Sequence, residues 1–393
     1  MPDAGTPPPC GRTEMFADDF EDDVVDLARW RNTFVDELVT LEEVDGHTRI
    51  TLPVNVGGSQ YGALISTAAY DLRESSLTVE VADLDAGDLA QVYFKAGFSS
   101  EEELEFIVEF GMLRFRQRMG GQWLLRGELP HDATAHRFWR FREDQGVVRW
   151  ETSPDGVAFT THESLVDWPY AASVYVVLGA GLYTPETAER FVEFEGVNGG
   201  TPVGEACPLA SFVETFSDDT DLRWRTFGEP GICDVVLANG VLEARPSSVE
   251  GYCGMGTRSV YRLDANGVLV HVLQMVNTDT STNAFFNVGD VYENRAEFIH
   301  ESGNLYAKRF VLDSPSLVAV EPYDPPAHAW WRLRREGGLV SWETSADGVN
   351  WTPFHAEPDF LGPDVMVYLG VGTYEPVADP GYAIFDNING PAP

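Results

Sequence analysis

Apolar and polar residues alternate along this chain with a period of two, and the three-to-four period of an amphipathic helix is nearly absent. Ser76-Leu77-Thr78-Val79-Glu80-Val81 is the clearest run, and residues 91–97, 103–108, 136–142, 146–151 and 190–195 repeat the pattern. Residues 174–181 are continuously apolar, which predicts a strand buried on both faces. Gly, Asp, Asn or Pro bounds each run and supplies its turns. About a dozen such strands in each half predict an all-β sandwich or barrel, and the long connections favour a jelly roll of two packed sheets.

The pattern occurs twice. Trp150-Glu151-Thr152-Ser153-Pro154-Asp155-Gly156 returns 192 residues on as Trp342-Glu343-Thr344-Ser345-Ala346-Asp347-Gly348. At the same offset Phe159-Thr160 returns as Trp351-Thr352, Glu105-Phe106-Ile107 as Glu297-Phe298-Ile299, and His136 as His328. The period is that of a whole domain and not of a solenoid unit. The reading is two tandem jelly-roll β-sandwich domains, at 13–200 and 211–390, with a Pro-rich tail at 1–12 and a linker at 201–210. The Ser-x-Asp-Gly segments are read as tight turns, with glycine at positive φ. Tryptophans matched between copies (Trp30 with Trp224, Trp139 with Trp331, Trp150 with Trp342) are read as core.

Composition narrows the function classes. The 393 residues include 63 acidic and 26 basic ones, a net charge of −37. Such a field repels nucleic acid and anionic membrane surfaces. No apolar run reaches the ~18 residues of a membrane helix. No signal peptide is legible, and an exported protein whose signal has been removed is expected, extracellular or on a bacterial cell surface. Cys233 and Cys253 occur only in the second copy and are expected to form a disulfide. Cys10 and Cys207 either join tail to linker or remain free thiols.

Each copy opens on an acidic-aromatic segment followed by Trp, as Phe16-Ala17-Asp18-Asp19-Phe20 before Trp30, and Phe212-Val213-Glu214-Thr215-Phe216 before Trp224. Each closes on Phe-acid-x-x-Asn-Gly, at Phe194-Glu195 to Asn198-Gly199 and Phe385-Asp386 to Asn389-Gly390. With the paired Phe138-Trp139-Arg140 and Trp330-Trp331-Arg332, this resembles the concanavalin A-like lectin/glucanase superfamily in its laminin-G-like arrangement. The resemblance covers nearly the whole chain beyond the tail. It implies that the first and last strands lie side by side, bringing Asp18, Asp22 and Glu195, and in the second copy Glu214, Asp218 and Asp386, within reach of a Ca²⁺ ion. Calcium ligation by six to eight oxygens suits carboxylates and carbonyls, and the other reading of the same acids is solvated strand ends.

The glucanase branch uses two carboxylates flanking the scissile bond, in a Glu-x-Asp-x-x-Glu run. Neither copy has it. The nearest is Glu103-Leu104-Glu105-Phe106-Ile107-Val108-Glu109, whose Glu105 and Glu109 recur as Glu297 and Glu301 while Arg295 replaces Glu103; these are read as charge on a strand exterior. His136 and His328 are read as packing or capping a loop. Loop aromatics are the candidate sugar platforms, since pyranose faces are apolar: Trp123, Trp168, Tyr170, Tyr323 and Tyr374. The Arg114, Arg116, Arg118 stripe either holds an acidic sugar or pairs with neighbouring acids. These observations lead to the expectation of a carbohydrate-binding protein without catalysis of its own. Two alternatives stay open: an adhesive protein that binds another protein, and a divergent glycoside hydrolase.

Overall fold

The computed structural model describes residues 10–30, 33–85, 87, 90–216, 222–229, 231–277 and 281–390. Most of the Pro-rich tail, and Asp218, lie outside them. The chain divides into two compact units, residues 1–205 and 206–393. No described helix is long and apolar enough to cross a membrane.

The first unit is two seven-stranded antiparallel sheets packed face to face. One runs in the order Phe34–Val35, Gln60–Ile65, Tyr175–Leu182, Ala90–Ser99, Glu102–Glu109, Met112–Met119, Gln122–Pro130. The other runs Thr160–Val166, Val147–Ser153, Phe138–Asp144, Ser75–Asp85, Arg190–Val197, His47–Leu52, Thr40–Val44. Period-two alternation decides which side chains enter the space between the sheets. Leu77, Val79 and Val81 point inward from one sheet, and Leu104, Phe106 and Val108 meet them from the other. Phe106 lies 5.8 Å from Trp139 and 5.6 Å from Phe115, centroid to centroid.

The second unit repeats this plan. Its first sheet takes Asp364–Thr373, Thr282–Asp290, Arg295–Glu301, Asn304–Val311 and Ser314–Pro322 in order, with Gly251–Thr257 also pairing Asp364–Thr373 and Trp224–Phe227 pairing Gly251–Thr257. The facing sheet is Cys233–Ala238, Val241–Pro246, Ala383–Ile388, Val268–Gln274, Trp330–Glu336, Leu339–Ser345, Thr352–Pro358. Of the residues expected as linker, Cys207–Pro208 pair with Tyr261–Arg262, and Leu209 is fully buried in the second core.

The matched motifs have matched jobs. Trp30, Trp139, Trp150, Trp331 and Trp342 are completely buried and Trp224 nearly so. Trp150 donates its indole N–H to the Glu105 carbonyl at 3.1 Å, and Trp342 does the same to Glu297 at 3.0 Å. The closing asparagine is a clamp. Asn198 Nδ2 donates to the carbonyls of Thr13 and Phe16 while its Oδ1 accepts from Thr78 N–H. Asn389 repeats this on Leu209, Phe212 and Leu269. Each unit's first described segment is thereby fastened to its last strand.

The run at 136–142 becomes a strand only from Phe138. His136 stays in the preceding turn, where its Nδ1 accepts the Asp132 N–H at 3.1 Å, and His328 does the same for Asp324 at 3.2 Å. The Ser-x-Asp-Gly turns form as expected: Asp347 Oδ1 accepts from Val349 and Asn350 N–H, and the Asn350 amides hold its carboxyl well below the usual range. Gly348 sits at φ +71°, where a Cβ would lie 3.0 Å from the Trp330 ring. Gly348→Ala is therefore expected to destabilise the second unit by ~1–2 kcal/mol, read as a lowered melting temperature for that unit alone.

No described cysteine is free. Cys233 and Cys253 are bonded across the two sheets of the second unit, with Cα atoms 6.1 Å apart and a sequence separation of 20. Cys10 and Cys207 are also disulfide-bonded. Closing a loop of this length constrains the unfolded chain by ~3 kcal/mol. The double substitution Cys233→Ser, Cys253→Ser should lower the second unit's calorimetric transition and leave the first unit's in place.

Candidate functional site

Strand register assembles a face on the outside of each unit's first sheet, turned away from the core. In the second unit one row across the strands is Tyr368, Asn287, Glu297, Lys308. The next is Gly370, Phe285, Ile299, Tyr306, and a third is Gly372, Asn283, Glu301, Asn304. Gly370 and Gly372 lack side chains because rings occupy that space: a Cβ on Gly370 would lie 2.5 Å from Phe285, and one on Gly372 2.2 Å from Tyr252. The run 174–181 of the first unit, expected to be buried on both faces, is roofed in the same way: a Cβ on Gly179 would lie 2.4 Å from Tyr93 and one on Gly181 1.9 Å from Tyr61. Phe227 and Tyr252 both lie 6.3 Å from Phe285, so the rings form a continuous strip.

Two acids stand in this face. Glu297 is 7% exposed and accepts the Asn287 Nδ2–H at 3.2 Å, with Arg295 Nε 3.9 Å away. Burial pushes its carboxyl up to about 7, and the nearby Arg295 and Lys308 only partly oppose this. The carboxyl therefore holds its proton well above the usual carboxylate range. Glu301 is four residues along the same strand, with Lys308 Nζ at 3.6 Å and the Tyr374 hydroxyl donating to it. That hydrogen bond is the largest cause raising the Tyr374 hydroxyl to about 12. Asn283 and Asn287, both almost fully buried, each present an amide oxygen that no described protein group donates to. A protonated acid, a second carboxylate and an aromatic strip can bind and protonate a hydroxyl-rich ligand.

The first unit has the same face with different chemistry. Its corresponding row is Val177, Lys95, Glu105, Arg116, Leu125. Lys95 stands where the second unit has Asn287, and Arg116 where it has Lys308. Arg116 Nε binds Glu105 at 2.6 Å and Lys95 Nζ lies 3.6 Å from it. Lys95 also reaches Glu103 at 3.2 Å, and Glu109 takes Arg114 and, at 3.5 Å, Arg116. Burial raises the Glu105 carboxyl, and Lys95 and Arg116 pull it back. Arg114 and Arg116 of the basic stripe are therefore paired with acids of their own sheet, while Arg118 Nε donates to the Gly121 carbonyl.

The candidate platforms scatter. Trp123 lies on the first unit's face beneath Lys95, Arg116 and Arg118, whose charged groups are 4.6–5.4 Å from its ring. It shares that face with Arg114 and Arg116. Tyr374 lies on the second unit's face. Trp168 and Tyr323 are not open platforms. Trp168 is 6% exposed and packs edge-on against Tyr170, which stacks on Phe98 at 4.9 Å. Tyr323 turns inward against His300 and His328, at 4.7 and 5.7 Å. Apolar ring area is drawn under a loop whenever space is left there.

Four of the expected calcium ligands, Asp18, Glu195, Glu214 and Asp386, already take donors from the protein. Asp18 accepts the Trp30 indole N–H at 2.6 Å and lies 3.2 Å from Arg29. Glu214 likewise takes Trp224 at 2.9 Å and Arg223 at 2.8 Å. Glu195 is bound by Arg137, and Asp386 by the neighbouring Asn387 amide with His271 3.5 Å away. Asp22 instead faces Glu43, whose buried carboxyl is pushed up to about 8 by burial and by Asp18 and Asp22. Among the described residues no three His, Cys, Asp or Glu gather in a way that could hold a metal ion.

No protein-family model and no curated protein matches the chain. Solved structures do. A glycosyl hydrolase family protein from Mycobacterium fortuitum is matched at 15% identity and a TM-score of 0.38, over 46% of this chain and 97% of that one. A laminarinase from Flavobacterium sp. is matched at 9% identity and 0.37, over 46% and 96%. The laminarinase catalytic domain from Thermotoga maritima is matched at 10% and 0.36, over 46% and 94%. At these identities the likeness is one of fold. The expectation of a chain without catalysis is nevertheless corrected. Those neighbours are named as a glycosyl hydrolase family protein and two laminarinases, and the acids read as strand-exterior charge prove to be buried, Glu105 at 1% and Glu297 at 7% exposure. The sequence showed that Glu297 and Glu301 recur, but not that Asn287 replaces Lys95 beside them, which only register reveals. Each half of the chain is an all-β sandwich of two packed sheets, the two in tandem.

Proposed function

We propose that the second domain binds a neutral glycan chain across the outer face of its first sheet and hydrolyses it. The observation that carries this reading is the proton-bearing Glu297, four residues from Glu301 along one strand, on a face lined by Tyr252, Phe285, Tyr306 and Tyr368. Glu297 gives its proton to the leaving glycosidic oxygen as the C–O bond breaks. A water adds its hydroxyl to the anomeric carbon and passes its proton to Glu301. Sugar rings stack on the aromatic strip. The first domain, whose Glu105 and Glu109 are held by Lys95, Arg114 and Arg116, supports attachment to the same polymer, which raises avidity. We place the protein outside the cytoplasm, where its disulfides persist.

The test is incubation of the full chain with neutral and acidic polysaccharides, assaying newly released reducing ends and retention on the same polymers. Release from a neutral polymer is expected. Retention without release on every polymer would overturn the hydrolase reading, and neither retention nor release would overturn glycan recognition as well.

A further inference from the structure

One edge of the first domain is closed by histidines. The chain leaves the first sheet at Pro130 and enters the second at Phe138, and His131 and His136 lie in that crossing. His162 comes from Thr160–Val166, the outermost strand of the second sheet. The rings form a chain: His131 to His136 at 5.9 Å, and His136 to His162 at 6.0 Å. His162 stacks on the core ring Phe115 at 5.1 Å, and its Nε2 is 2.7 Å from Thr152 Oγ1. The two edge strands are in close contact beside it, since a Cβ on Gly127 would lie 2.4 Å from Glu163.

Little opposite charge faces this cluster. Asp132, on the crossing itself, is the carboxylate that acts on His131 and His136, and it already accepts from Thr134 and Ala135 N–H. Glu163 faces Gly127 across the edge. From the second sheet's Val147–Ser153 strand the facing group is the neutral Thr152 hydroxyl, and from Met112–Met119 it is Phe115. The His136 Nδ1 is held as an acceptor by Asp132 N–H, so that nitrogen cannot gain a proton without losing its bond.

We infer that this edge is an acid-operated latch: when the three histidines take up protons, mutual repulsion parts the Gln122–Pro130 and Thr160–Val166 strands and loosens the face that carries Arg114, Arg116 and Trp123. Burial supports the same direction, lowering His131 to about 4 and lowering His136 and His162 as well. The folded pKa values lie below the unfolded one of about 6.5. The contribution is therefore complete above about pH 6.5 and is lost as the pH falls from there towards 4.

The second domain supplies the substitutions for the test, with Tyr323 and Phe354 at the repeat positions of His131 and His162. It keeps buried histidines of its own, His300 and His328, so the control is a variant of the first domain. Hydrogen exchange of the full chain would be compared at pH 7 and pH 5 after correction for intrinsic rates. Peptides spanning 122–137 and 160–166 should exchange at least tenfold faster at pH 5, and H131Y/H162F should abolish that increase. Unchanged exchange at pH 5, or an equal increase in the variant, would overturn the latch. Should the variant fold poorly, NMR titration of the native histidine ring protons decides: protonation must coincide with the opening, and opening without it would reject the idea.

Discussion

Replacing Glu297 by Gln is expected to reduce kcat on a neutral glycan by about a thousandfold while leaving retention on the polymer close to unchanged. Loss of a positioned general acid has an effect of this order, roughly 10²–10⁴. The amide keeps the shape of the side chain and its contact with Asn287, so the variant separates proton delivery from binding. The pH profile gives a second readout. The Glu297 carboxyl is raised to about 7, so activity should fall as the pH rises through that value. Stability should follow the same group. The folded protein binds one more proton than the unfolded chain between about 4.5 and 7, so this carboxyl's contribution declines as the pH rises across that window, and E297Q should remove that slope. Full activity in E297Q would reject Glu297 as the acid. The parallel change in the first domain, Glu105→Gln, should leave turnover intact.

Arg116→Leu is expected to destabilise the first domain by ~3 kcal/mol, because it strands a buried carboxylate. Glu105 is 1% exposed, and Arg116 supplies its 2.6 Å contact. Lys95, at 3.6 Å, offsets part of the loss but already serves Glu103. Adding Glu105→Leu should recover most of the deficit, since replacing both members of a buried pair by apolar groups is far less costly than removing one. Urea unfolding of the four species would measure this. Equal destabilisation by R116L alone and by the pair would mean that the ion pair contributes little and that only packing was lost. The deficit of R116L should also shrink in acid, where Glu105 can take up a proton.

Most of the fold was legible because both signals that encode it are local. Period-two alternation gave the strands, and repetition at a fixed offset gave the domains and the core tryptophans. The turn around Asp155 and Asp347 was legible for the same reason, since the residues that make it are adjacent. The sites were not, because their residues come together only through pairing. Asn287, Glu297 and Lys308 form one row across three strands, and nothing in any single strand marks them. The loop aromatics misled in the opposite way. Trp168 and Tyr323 sit in turn-like sequence, yet a large ring near an uncovered core edge packs inward. Of the acids proposed for calcium, Asp18 and Glu214 lie beside the closing strand, where the backbone of Asp18 pairs with Val197 and that of Glu214 with Ile388. Their oxygens, however, accept indole N–H and guanidinium groups in both copies. A tryptophan twelve or ten residues downstream was the signal for that role.

The asparagine clamp has a consequence for how such a chain arises. Asn198 and Asn389 each fasten the entry of a domain to its exit, so the point where the polypeptide comes in lies beside the point where it leaves. A unit with neighbouring ends can be copied head to tail, or spliced into the loop of another protein, without dragging either partner's core apart. The same closeness makes each half a natural candidate for circular permutation, with new ends cut at an exposed hairpin and the old ones joined by a few residues.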